Sequence, residues 1–240
     1  MESNSEQCGI TQRILIDIFN KIEQLQNEHC SEADESIQSK FNVDMELSYM
    51  EVYKEECFDL LSKGKQMVQL RETHKSETIA ENLTKVRFAS VNSDRSKGVK
   101  DIFKVLGEAS KNRSTNATAM NAKSSRSHAM FTLLLKITLP MCGEIVTMNS
   151  KLNIVDLAGS ERMKKTGASG DVLKEGIAIN QGLLVLGNVI EALAKKSLSD
   201  EGGGSGSGGM HIPYRDSKIT RLLKDSLGGN SVTILLACVS

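Results

Sequence analysis

The stretch Lys151 to Arg162, KLNIVDLAGSER, sets a carboxylate and a glycine at a spacing suited to nucleotide chemistry. Leu152, Ile154 and Val155 are branched residues in a run too short for a helix, which predicts a buried strand of an α/β sheet. Ligands of open α/β sheets bind beyond the carboxyl ends of the strands, and this end carries Asp156 and, three residues on, Gly159. A carboxylate there suits a hydrated magnesium ion, which takes one or two carboxylates together with substrate phosphates. A glycine lets the backbone amide come close to a phosphate. The competing reading is a strand that ends in an ordinary turn, where Asp and Gly are common. Upstream, NAKSSRSH at Asn121 to His128 gathers three serines, an asparagine and an arginine just before an apolar run, Ala129 to Leu139, that predicts another strand.

NAKSSRSH followed by DLAGSE, in this order with one hairpin between, resembles switch I and switch II of the kinesin motor domain. SYMEVYKEECFDLL resembles that family's strand-and-turn scaffold, and HIPYRDSKITRLL its microtubule-contacting loop and helix. GITQRILIDIF resembles the start of the helix after the phosphate-binding loop, with Thr11 and Gln12 as departures. AINQGLLVLGNVIEAL is similar to the chromokinesin-like branch, except that Gln181 replaces a basic residue. The resemblance covers nearly all 240 residues. It implies an α/β, P-loop NTPase-like kinesin motor fold with a mixed central sheet flanked by helices, lacking the N-terminal strands and the phosphate-binding loop. Residues 1–240 would then be the C-terminal part of one motor domain.

The same resemblance implies ATP and Mg2+ as cofactors and gives individual residues their roles. Ser124 and Ser125 become the switch I hydroxyls near the metal and the γ-phosphate, and Asn121 opens that loop. Asp156 holds the metal through water, and Gly159 donates its amide to the γ-phosphate. Arg126 and Glu161 form the interswitch ion pair that closes over the nucleotide and helps organise the attacking water. Microtubules are the implied partner. Arg215, Lys218 and Arg221 recur every three residues, so in a helix they share roughly one face, and Lys164, Lys165, Lys195 and Lys196 are weaker candidates. A solvated helix face is the plainer reading of such charges.

The part that is missing is equally informative. A phosphoryl-transfer site needs a backbone cradle and a lysine for the phosphates. No GxxxxGK[ST] occurs in the 240 residues: Gly64-Lys65 is followed by Gln66, and the Gly/Ser run at 202–209 has no lysine and no strand leading into it. That run reads as a flexible loop. The expected function is therefore a microtubule motor that couples ATP hydrolysis to movement, this stretch being an incomplete and inactive portion. A non-catalytic microtubule-binding module or a regulatory pseudo-motor is the alternative. In the family the phosphate-loop strand lies between the strand ending at Asp156 and the final strand, so these residues alone would leave a gap in the sheet with unpaired edges.

Composition bounds these readings. With 39% hydrophobic and 25% charged residues the chain can bury one sizeable core. Lys plus Arg and Asp plus Glu both number 30, so no overall field draws nucleic acid or a membrane, and no nucleic-acid contact is expected. Five scattered cysteines without metal spacing fit free thiols in a reducing compartment. No run approaches a membrane span, and the polar start is not a signal peptide, which points to cytoplasm and cytoskeleton. Dimerisation would rest on segments outside these residues.

Elements must position the two motifs. Ile10, Ile14, Ile18, Ile22 and Leu25, widened by Leu15 and Phe19, predict an amphipathic helix over 9–26, followed by a polar surface loop over 27–40. Alternation from Phe41 to Tyr49 predicts a strand, and 66–72 and 77–80 two short ones. A helix over 98–111, a hairpin over 131–155 turning at 140–143, a helix from about 173 to 196, a short basic helix after Pro213, and a final strand over Val232 to Val239 complete the expectation.

Overall fold

The computed structural model describes residues 9–30, 41–64, 66–74, 76–88, 95–115, 126–141, 144–159, 171–201 and 211–237. Seven strands form one sheet: β1 (Asn42–Tyr53), β2 (Glu56–Asp59), β3 (Gln66–Glu72), β4 (Thr78–Glu81), β5 (Val86–Phe88), β6 (His128–Met141) and β7 (Glu144–Asp156). The order is β4-β3-β2-β1-β6-β7, with β5 also on β1, and every described pairing is antiparallel. No parallel pairing occurs among the described strands. The β6–β7 hairpin is the predicted one, and β7 is the outermost strand of its side.

Alternation in β1 and β6 divides the core between two faces. Val43, Met45 and Leu47 of β1 lie opposite Ile137, Leu135 and Leu133 of β6, and helices α1 (Ile10–Cys30) and α2 (Arg95–Thr115) cover this face with Leu15, Phe19, Ile22 and Ile102. Tyr49 meets Phe131 edge to face there, with centroids 6.0 Å apart. On the other face Met50, Val52 and Met130 join Cys57 and Val68. Burial pushes the Cys57 thiol up to about 11, which makes it a packing group and not a reactive one.

Two of the long helices bury only part of their apolar residues. In α1 the fully buried line is Leu15, Phe19 and Ile22, while Ile10 lies in solvent. In α3 (Asp171–Glu201) Ile179, Val185, Leu186 and Val189 are buried, whereas Ile177, Leu184 and Ile190 are exposed. Periodicity cannot choose between adjacent rows that are equally apolar; the surface they meet does.

Beyond residue 210 two predictions need correction. The basic segment is not one helix: a 3₁₀ turn (Tyr214–Asp216) precedes α4 (Lys218–Leu222) and α5 (Lys224–Gly228). Ser217 is extended and caps α4, its hydroxyl accepting from the Ile219 amide, which ends any helix running in from Arg215. The predicted strand over 232–239 is also absent among the described residues, where 231–237 make no ladder and Val232 is 95% exposed. A strand needs a neighbour to accept its amides, and no described strand lies beside this one.

Candidate functional site

The carboxyl end of β7 meets the start of β6, since Asp156 pairs with Ala129 in the ladder. Asn121, Ser124, Ser125, Glu161, Lys164 and Lys165 lie outside the described residues. Of the remaining switch candidates, half-buried Arg126 precedes β6 by two residues, and Asp156 and Gly159 sit at and just beyond the end of β7. Leu152, Ile154 and Val155 are half-buried instead of buried, and among the described strands β7 has a neighbour on one side only.

Sequence reasoning missed the residue that bridges the two motifs. Arg113, in the last turn of α2, donates from Nη1 to Asp156 Oδ2 at 2.7 Å and from Nη2 to the Ser127 carbonyl at 3.1 Å. Its guanidinium is 13% exposed while Asp156 is 67% exposed, so a shielded cation holds a carboxylate that stays open to solvent. A signal existed: Arg113 follows Ile102 by three helical turns and Ala109 by four residues, which places it on the buried stripe of α2.

His128, the last residue of NAKSSRSH, joins the motifs directly. The Ala158 amide donates to His128 Nδ1 at 3.0 Å in a buried setting. Nδ1 must therefore be unprotonated, and the proton of a neutral ring sits on Nε2. Burial, helped by Arg113, holds the His128 pKa below its usual value against the opposing pull of Glu55 and Asp156.

The basic segment docks on the β1–β3 side of the sheet. Lys54 and Glu55 have φ of 52 and 57, the left-handed values of a two-residue hairpin loop between Tyr53 and Glu56. That turn aims Glu55 at the start of α4, where its carboxylate accepts from Ser217 Oγ at 2.8 Å and from the Lys218 amide at 2.7 Å. Arg215 forms a two-pronged ion pair with Glu72, which holds the Glu72 carboxyl below its usual pKa. Arg221 reaches the Leu70 carbonyl and Lys224 the Ser76 carbonyl. The single-face stripe is thus corrected: Arg215 sits on its own 3₁₀ turn, and two of the three cations also serve as ties to β3. Arg71 pairs with Glu81 on the surface, and Lys195 pairs with Glu191 along α3.

The donor set can be tested against magnesium. Among the described residues no group of three or more His, Cys, Asp or Glu could cage a metal. Magnesium does not require one, since it keeps several waters. Asp156 has one oxygen on Arg113 and a side chain that is largely exposed, which fits the role of holding a metal-bound water. Among the described residues no helix is long and apolar enough to cross a membrane.

The described sheet brings the described ends of the two polar motifs together at the carboxyl end of β7. The Kinesin motor domain family model matches residues 1–240. The chain belongs to the kinesin motor-domain family. It is 41% identical over 242 residues to chromosome-associated kinesin KIF4A of Homo sapiens, spanning 100% of this chain and 17% of that protein. With KIN-4C of Arabidopsis thaliana it shares 40% identity over 254 residues, 97% of this chain and 18% of the relative. The chain thus spans less than a fifth of the length of these curated relatives. Among solved structures, a KIF14 dimer bound by two heads to a microtubule with AMP-PNP superposes with a TM-score of 0.73 at 39% identity, over 95% of this chain and 57% of that one. A fast kinesin superposes with a TM-score of 0.70 at 33% identity, over 96% and 56%.

Proposed function

We propose that these residues are the switch-bearing and microtubule-docking part of a motor domain that couples ATP hydrolysis to movement along microtubules. The observation that supports this best is the meeting of the two motifs through Arg113 and His128 at the end of β7. In this reading Asp156 holds the water of a magnesium ion that neutralises phosphate charge, and the Gly159 amide points to the γ-phosphate. Ser124, Ser125 and Asn121 line the same loop, and Arg126 with Glu161 orders the attacking water. Arg113 restrains Asp156 until nucleotide competes for it. Arg215, Lys218 and Arg221 face tubulin, with Lys164 and Lys165 adding to the same charge, and the motor works on the cytoskeleton.

The 240 residues supply sensors of a phosphate but no cradle to hold one. The purified chain is therefore expected to bind ATP poorly and to show no turnover above background, with or without microtubules. Saturable, microtubule-stimulated phosphate release from it would overturn that expectation.

Docking is tested separately by replacing Arg215, Lys218 and Arg221 with Ala. Charges at a protein surface act through a screened attraction, so the triple variant should co-sediment with microtubules about tenfold more weakly at low salt and with a flatter salt dependence. Wild-type binding across the whole salt series would place the docking surface elsewhere.

A further inference from the structure

Four elements converge on one spot behind the β7 loop. A Cβ built on Gly182, in the middle of α3, would lie 3.4 Å from Glu55 Oε1, 3.6 Å from Ser217 Oγ and 3.9 Å from His128 Nε2. His128 is buried at the start of β6 and takes the Ala158 amide on its other nitrogen. Glu55 takes the Ser217 hydroxyl and the first amide of α4. A glycine inside a helix costs roughly 1 kcal/mol relative to alanine. Here an alanine would just fit, and any longer side chain would have to displace the imidazole or the carboxylate.

We infer that His128 is a positioning residue, fixing the Ala158–Gly159 backbone, and that Gly182 seats α3 against the same ring so that loop, α3 and the Glu55-capped start of α4 are set as one unit. This rests on the motor reading in so far as Gly159 senses a phosphate. The chemistry requires an acceptor at Nδ1, which only the Nε2-protonated ring supplies. A rotation of the β7 loop would pull on the imidazole, whose far edge lies beside Gly182, the same glycine that Glu55 and Ser217 approach. The β7 loop and the basic docking segment are thereby linked through the His128 ring.

The test uses the isotope-labelled 240-residue chain without nucleotide or microtubules, so its failure and that of the motor reading are distinguishable. In the wild type, nitrogen shifts should show His128 protonated at Nε2, and an Nδ1-protonated ring would overturn the assignment outright. His128→Phe keeps the ring volume and removes the acceptor; amide exchange at Ala158 should rise at least about tenfold relative to Met130 and Val52 in the strands. His128→Asn, which keeps an acceptor, should recover most of that protection. A rise shared equally by the strand amides would mean that the ring merely fills space, and the positioning role would be lost. Gly182→Leu should raise exchange at Ala158 and at Lys218 and Ile219 together, while Gly182→Ala should leave both close to wild type. Movement at only one of the two places would overturn the link between them.

Discussion

Replacing Phe19 with Ala is expected to destabilise the chain by about 3–5 kcal/mol, the usual cost of emptying a buried aromatic site. Phe19 is almost fully buried, between Leu15 and Ile22 on α1 and within the cluster formed by Val43, Met45, Leu133 and Ile137 of the sheet. The cavity would open where α1 meets the sheet, and packing across that contact gives α1 most of its stability. Against a total of about 5–15 kcal/mol, such a loss leaves a marginal fold. Urea unfolding followed by circular dichroism measures it, with Ile10→Ala as the control. Ile10 is exposed, so its replacement should stay within about 0.5 kcal/mol of wild type. A loss at Phe19 no larger than that at Ile10 would mean that α1 does not pack on the sheet in solution.

The largest expected effect on chemistry belongs to the proposed pair of Arg126 and Glu161. In a motor completed with a relative's phosphate-binding part, either Arg126→Ala or Glu161→Ala should slow hydrolysis by at least about a hundredfold, in keeping with the roughly 3 kcal/mol or more that breaking a buried ion pair costs. ATP affinity should stay close to wild type, because the cradle and not the pair holds the phosphates. Single-turnover phosphate release, with nucleotide affinity measured separately, separates the two steps. Arg126 stands two residues before β6 and one before buried Ser127, next to the ladder that places His128. Turnover near the wild-type rate in both variants would remove the pair from the mechanism.

What a residue does on its own face was legible in the chain. The alternation of Val43, Met45 and Leu47 is a local property, and it gave the strand and its buried side because side chains of a strand point to opposite faces in turn. The β6–β7 hairpin was equally readable, and so was the meeting of the two motifs, since a hairpin whose arms begin and end in polar motifs must bring them together. That Asp156 and Gly159 lie at and just beyond a strand end was legible because a strand end followed by glycine is a local pattern as well.

The tertiary structure decided the rest. Which of two equally apolar rows of α1 or α3 is buried depends on the opposing surface, and so Leu15 and Phe19 go inside while Ile10 does not. Whether 232–237 becomes a strand depends on a neighbour that accepts its amides, and none of the described strands is placed to do so. Arg215, Lys218 and Arg221 read as one helical face, but a serine cap and the carboxylate of Glu72, over a hundred residues away in the chain, divide them. Arg113, His128, Glu55 and Gly182 are ordinary residues in a sequence, and their work lies in what they touch. Composition and periodicity describe one segment at a time, whereas an ion pair from α2 to β7 or a ring between a loop and a helix exists only after distant segments have packed.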